Sequence, residues 1–331
     1  MNNSMKLNNE MKLNDKLFSN VEKVPSRDGY GKGLVELGEK NKEVVVLCAD
    51  LTESTRSNWF KEKFPSRFVQ MGVAEQNMMG VAAGLALSGK VPFVSSYAVF
   101  SPGRNWDQLR VSVCYTGANV KVGGMHAGIS VGPDGATHQA LEDIAITRAL
   151  PNLKVIVPCD WIQGKKATIA AGDTLGPHYL RFGREKVAVI TTEETPFEIE
   201  KANIYADGAD VAIIACGGMV YESLLAAKEL EKSGVSAMVV NCHTIKPIDV
   251  TTITKAAKKC GAVITAEEHQ VNGGLGSAVS EALVENYPVP MKRVGMKDVF
   301  GESGTPDELL KKYGMNSLEI VKACQEVVKR K

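Results

Sequence analysis

The chain has 331 residues, 44% apolar and 23% charged, a length and balance that suit two globular domains. Its 39 basic and 38 acidic residues nearly cancel, so no overall field favours nucleic acid or a membrane surface, and a small molecule or another protein is the expected partner. No segment nears the roughly 18–20 apolar residues that a bilayer span needs. The seven cysteines are dispersed without a Cys-x-x-Cys pair, a pattern of free buried thiols in a reducing cytoplasm rather than of disulfides or zinc.

The Asn- and Lys-rich residues 1–22 hold no apolar stretch of signal-peptide length and read as a disordered tail. From residue 23, strand-like runs at 44–48, 68–71, 91–95, 120–123, 155–157 and 178–182 alternate with helix-length segments. The polar run Thr191-Thr192-Glu193-Glu194-Thr195-Pro196 marks a linker over 191–203. Strands at 211–216, 237–241 and 262–266 then alternate with helices at 221–232, 251–259 and 276–285, and a last helix starts at Ser317. The expected fold is α/β, with two domains, 23–190 and 204–331, each a mainly parallel sheet flanked by helices.

Within the first domain, Met71-Gly72-Val73-Ala74-Glu75-Gln76-Asn77-Met78 sets one carboxylate among apolar or small residues, ahead of an expected helix over 78–87. A carboxyl in such surroundings is buried, where desolvation favours its protonated form and a hydrogen bond to a weak base. Open α/β sheets place ligands at such strand-to-helix junctions; a glutamate capping a buried helix is the alternative. Gly29-Tyr30-Gly31-Lys32-Gly33, Gly217-Gly218 and Gly273-Gly274-Leu275-Gly276 all miss the dinucleotide fingerprint and read as tight turns.

Tyr97, Phe100 and Trp106 group beyond the strand at 91–95, where ring faces form either a stacking pocket for a flat heterocycle or ordinary core. The densest polar stretch runs from Gly124 to Gln139 and holds His126, Asp134 and His138 among glycines. Histidines relay protons near neutral pH and an aspartate accepts from sugar hydroxyls, whereas the spacing matches no metal site. Arg27, Ser54, Arg181 and Arg184 lie at expected element ends, where an arginine fork suits a phosphate.

Together these motifs resemble the thiamine-diphosphate enzymes, specifically the C-terminal half of transketolase, from about Arg27 to the C-terminus. The resemblance implies a pyrimidine-binding domain followed by the transketolase C-terminal domain. Glu75 would hydrogen-bond N1′ of the cofactor's aminopyrimidine, and Tyr97 and Phe100 would enclose that ring, with Trp106 as a third member. The family often has a further aromatic nearer Phe100, where this chain has Ser101-Pro102-Gly103. Asp134 would contact a donor hydroxyl and His138 the reacting end of the sugar. His126, Arg27, Ser54 and Arg184 would surround the distal phosphate, Arg184 being preferred to Arg181 because it aligns without a gap. Glu75, His138 and His126 are thus the implied catalytic groups.

Glu267-Glu268-His269 with Gly273-Gly274-Leu275-Gly276 resembles the signature of the family's C-terminal domain, which has no catalytic residue. The family's Gly-Asp-Gly…Asn site for diphosphate and metal has no counterpart: Asp134-Gly135 follows Pro133, and Asp207-Gly208 follows Ala206. The resemblance therefore implies a split transketolase subunit whose N-terminal partner subunit brings the diphosphate site and Mg2+, in a heterotetramer. Such a pair would move a ketol group from a ketose phosphate to an aldose phosphate, in the pentose phosphate route or a specialised sugar pathway. The alternatives are the β subunit of a 2-oxo-acid dehydrogenase, a deoxyxylulose-phosphate synthase, and a non-catalytic scaffold of the same fold.

Overall fold

The computed structural model describes residues 5–331. The first sheet has the strand order Phe68–Gln70, Val44–Cys48, Val91–Tyr97, Lys121–Met125, His178–Arg181, Lys154–Ile156 and Thr244–Lys246. Its first six strands are parallel. The central strands are buried almost throughout, as a sheet covered by helices on both faces requires. The second sheet runs Lys6–Leu7, Asn203–Asp207, Ala237–Asn241, Val211–Ala215, Val263–Gln270 and Met291–Met296, the last four parallel. The fold is thus α/β as expected, with short antiparallel additions at the edges of both sheets.

The expected disordered tail is the main correction. Residues 1–4 lie outside the described residues, but from Met5 onward the segment packs on the second domain and on the end of the first. Lys6–Leu7 pairs with Ala206 and Asp207, Asn14 Nδ2 donates to Val189 O at 2.8 Å, and Leu17 is 1% exposed in the core with Val220 and Leu224. The polar composition conceals apolar anchors, Leu7, Met11, Leu13, Leu17 and Phe18, which complete that core. The linker is likewise tied down: Thr191 donates through N and Oγ1 to the buried Asp160, and Thr195 Oγ1 reaches Lys12 O at 2.9 Å.

Gly29, Gly31 and Gly33 sit inside the helix Ser26–Lys40, not in a tight turn. A Cβ on Gly29 would strike the Trp161 carbonyl, and one on Gly33 would lie 2.7 Å from Thr168 Cβ. Gly29 and Gly33 let this helix close on Trp161–Asp173, because interaxial distance is set by the side chains at the contact, while Gly31 makes room for Trp59 and Arg56. That packing fixes the first turn of Ser26–Lys40, which carries Arg27.

Leu17→Ala is expected to lower the stability of the chain by about 2–4 kcal/mol, the usual cost of a buried leucine, read as an earlier midpoint in urea denaturation. An unchanged midpoint would show that the tail contributes nothing to the second core.

Candidate functional site

Five neighbouring parallel strands point their carboxyl ends to one edge of the first sheet, and the candidate residues follow those ends. Ser54 follows Val44–Cys48, Glu75 follows Phe68–Gln70, Tyr97 and Phe100 close Val91–Tyr97, His126 and His138 follow Lys121–Met125, and Arg184 follows His178–Arg181. Arg27 joins them from the start of Ser26–Lys40. This is where open parallel sheets bind ligands.

Glu75 opens the helix Glu75–Leu87, three residues before the expected start, and is 1% exposed. Met78, Met79, Ala82 and Ala83 form the buried face of this helix, in line with the apolar reading of the segment. The carboxylate itself meets polar partners: Oε1 accepts from Ser96 Oγ at 3.4 Å and Oε2 from Arg104 Nη1 at 3.0 Å. Glu75 therefore faces Ser96 and Arg104 instead of capping its own helix. Asn105 Nδ2 fixes the turn by donating to the Glu75 carbonyl at 3.2 Å.

The Tyr97 and Phe100 rings are near parallel, 9° apart with centroids at 6.3 Å. The Arg104 guanidinium lies 4.7 Å over the Phe100 ring while bonded to Glu75. One carboxylate and one ring face thus hold a flat, nitrogen-bearing group, the two contacts an aminopyrimidine requires, so these residues fit such a ring. Arg104 had no mark in the sequence beyond its place four residues after Phe100. Gly103 packs on the Val99 carbonyl, which a Cβ would strike, so this position supplies no further aromatic wall.

Trp106 does not join the rings. Its indole Nε1 donates to Ile146 O at 2.8 Å and its body packs against the core that both domains share, because the short helix Trp106–Gln108 turns it inward.

His126 follows the strand end in a left-handed conformation, φ 54°, which turns its ring back to within 4.1 Å of Tyr97. Its Nε2 accepts from Arg27 Nη1 at 2.5 Å, and the same Nη1 donates to Ser54 O at 2.8 Å, so Ser54 enters through its backbone carbonyl. Burial first, then the cations Arg27 and Arg184, push the His126 pKa down to about 3. With Nε2 accepting, the proton resides on Nδ1. That Nδ1 and Arg27 Nε are buried without a partner among the described residues, leaving two donors for an incoming oxygen.

His138 stands edge-on to both rings, 6.0 Å from Tyr97 and 5.5 Å from Phe100, with Nδ1 2.9 Å from Thr137 Oγ1. Arg184 Nη1 donates to Val131 O at 2.8 Å and to Asp134 Oδ1 at 3.2 Å, so Asp134 and Arg184 share one wall. Arg181 is buried elsewhere: Nε and Nη2 bind Asp143 at 2.8 and 3.2 Å, and Nη2 also reaches Glu268 O at 2.9 Å. No group of three His, Cys, Asp or Glu among the described residues is arranged to hold a metal ion.

Beside the site the outer face of Glu75–Leu87 is bare. Gln76, Asn77, Gly80, Val81, Gly84 and Leu87 are exposed, and a Cβ on Gly80 or Gly84 would meet no atom within 4 Å. With Val73, two residues before the helix, at 70% exposure, this surface is more apolar than an isolated surface helix needs.

The His126 C2-proton resonance is expected to hold its shift between pH 5 and 8. The unfolded chain takes up a proton near pH 6.5 that folded His126 refuses until about pH 3, so stability falls as pH drops through that window. His126→Asn is expected to flatten this part of the acid limb in pH-dependent denaturation.

Residues 22–189 match the transketolase pyrimidine binding domain and residues 200–320 the transketolase C-terminal domain. The 6-deoxy-6-sulfo-D-fructose transketolase subunit SqwH of Clostridium sp. strain MSTE9 is 45% identical over 307 residues, covering 92% of this chain and 95% of that protein. An apulose-4-phosphate transketolase subunit of Phocaeicola vulgatus is 38% identical over 308 residues, covering 93% and 98%. A solved structure described as a split gene transketolase, inactive beta4 tetramer, superposes with a TM-score of 0.87 at 47% identity, over 92% of this chain and 99% of that one. The chain belongs to the transketolase family, with the pyrimidine-binding domain followed by the C-terminal domain.

Proposed function

We propose that this chain is one subunit of a split transketolase, which moves a two-carbon ketol group from a ketose phosphate to an aldose phosphate with thiamine diphosphate as cofactor. One convergence carries this assignment: Tyr97 stacks beside Phe100 near the buried Glu75 and also touches His126 and His138, joining a heterocycle pocket to a sugar-handling loop. Two relatives that this chain spans almost end to end are named as transketolase subunits, which supports the same reading.

In this proposal Glu75 holds a proton at N1′ of the aminopyrimidine while Tyr97 and Phe100 pack its faces, and Arg104 yields the place it takes between them. The bound cofactor supplies the nucleophilic carbon that carries the ketol group between sugars. His138, edge-on to both rings, handles protons at the reacting oxygens, and Asp134 accepts from a donor hydroxyl. Arg27, Arg184 and the Nδ1–H of neutral His126 grip the distal oxyanion beside Ser54. A sulfonate would suit those donors as well as a phosphate, in keeping with the sugars for which the two relatives are named.

The diphosphate and Mg2+ fall to an N-terminal transketolase subunit, because no Gly-Asp-Gly…Asn sequence is present. The bare face of Glu75–Leu87 offers that subunit an apolar surface next to the site. Two subunits of each kind would form a cytoplasmic heterotetramer.

The test is ketol transfer from xylulose 5-phosphate to a panel of aldose phosphates by this chain mixed with its N-terminal subunit, thiamine diphosphate and Mg2+. Turnover should need both chains, and robust turnover by this chain alone would refute the split site. Glu75→Gln should lower kcat at least about 100-fold while the subunits still co-elute, in the range expected for losing a proton-transfer group. Arg184→Ala should raise KM for phosphorylated sugars by about 10- to 100-fold and leave an unphosphorylated analogue nearly unaffected.

A further inference from the structure

We infer that Glu268 of the C-terminal domain is a positioning residue that holds the loop carrying His126, Asp134 and His138 in place. As a role in catalysis this rests on the proposed function above; as a structural device it does not. Glu268 Oε1 accepts the Ser130 N–H at 2.5 Å across 138 residues of sequence. Ser130 lies between the two histidines, so this bond pins the middle of the loop. Gly128 has φ +94° and a Cβ there would meet the Glu268 carboxylate, so the loop runs closer to that side chain than any other residue would allow.

The contact is one of a set. Gln139 Nε2 donates to Glu302 O at 2.9 Å, and a Cβ on Gly135, φ +73°, would lie 2.6 Å from Ser303 Oγ. On the opposite flank Arg184 holds Val131 O at 2.8 Å. The loop is therefore wedged between Arg184 and the C-terminal domain, and Glu268 supplies the side-chain acceptor on that domain's side. A group that moves protons must sit within a fraction of an ångström of its place, which a glycine-rich loop cannot secure by itself.

Hydrogen exchange on the purified chain tests the device without any activity. Glu268→Asp keeps the carboxyl group but falls one methylene short, whereas Glu268→Gln keeps both length and acceptor. The Asp and Ala variants should speed exchange of peptides covering residues 126–139 at least about tenfold, with strands Val211–Ala215 and Val263–Gln270 still protected, and Gln should match wild type. Should the Ala variant unfold, the Asp variant decides. In the assembled enzyme Glu268→Asp should raise KM for the sugar phosphate about tenfold, with a smaller change in kcat and rescue by Gln.

Wild-type exchange over 126–139 in the Asp variant would overturn the inference, as would a loosened loop with unchanged kinetics. Absence of ketol transfer by the wild-type pair would count against the proposed function, while the exchange measurement would still decide the hold of Glu268 on the loop.

Discussion

The buried ion pair between Arg181 and Asp143 fixes the frame on which the site is built. Arg181 ends the strand His178–Arg181 and Asp143 begins the helix Asp143–Arg148, just after the site loop returns to the sheet. Burial by itself would raise the Asp143 pKa, but the Arg181 guanidinium outweighs it and holds the carboxyl below its usual range. Tyr179 donates to the same carboxylate at 2.7 Å, and the spare guanidinium donor reaches Ala140 O and Glu268 O. Losing either charge would leave the other buried and unpaired, at a cost of about 3–5 kcal/mol. The pair closes the neck of the loop, where Ala127 bridges Ala140 and Gly128 N donates to Ala140 O at 2.9 Å.

Above that neck the parallel sheet sorts the chemistry by strand. Strands on one side deliver Glu75 and the ring pair, and those on the other deliver His126, Asp134 and Arg184. Tyr97, at the end of a central strand, touches both groups. The far end is rich in donors: Arg27 and Arg184 are cations, and His126 is kept neutral by them and by burial, so it presents an N–H without adding charge. That end is electropositive, whereas the other holds the buried Glu75 carboxylate beside Ser96 and Arg104.

Much of this was legible in the sequence because it lies in local pattern. Apolar runs located most strands of both parallel sheets, and the apolar company of Glu75 foretold its burial. The histidines and Asp134 were marked by a stretch too glycine-rich to be a regular element. What escaped depends on distant contacts. Arg104 meets Glu75 across 29 residues, and Glu268 meets Ser130 across 138, so neither pairing leaves a local trace. Trp106 was misplaced because grouping in sequence does not give the direction of a helix, and the ordered tail was hidden by polar residues between its few apolar anchors. Gly29, Gly31 and Gly33 suggested a turn, although Gly29 and Gly33 admit the helix Trp161–Asp173 and Gly31 makes room for Trp59 and Arg56.

The two domains also exchange structure. Thr244–Lys246, from beyond the linker, completes the first sheet against Lys154–Ile156, and Lys6–Leu7, from before the first domain, completes the second against Asn203–Asp207. Each half therefore carries an edge strand that belongs to the other, and cutting the chain within 191–203 would strip a strand from each product. The pair is interlocked rather than strung together. Neither half is a portable module, and an apolar core runs across both, so the two are built to melt as one cooperative unit.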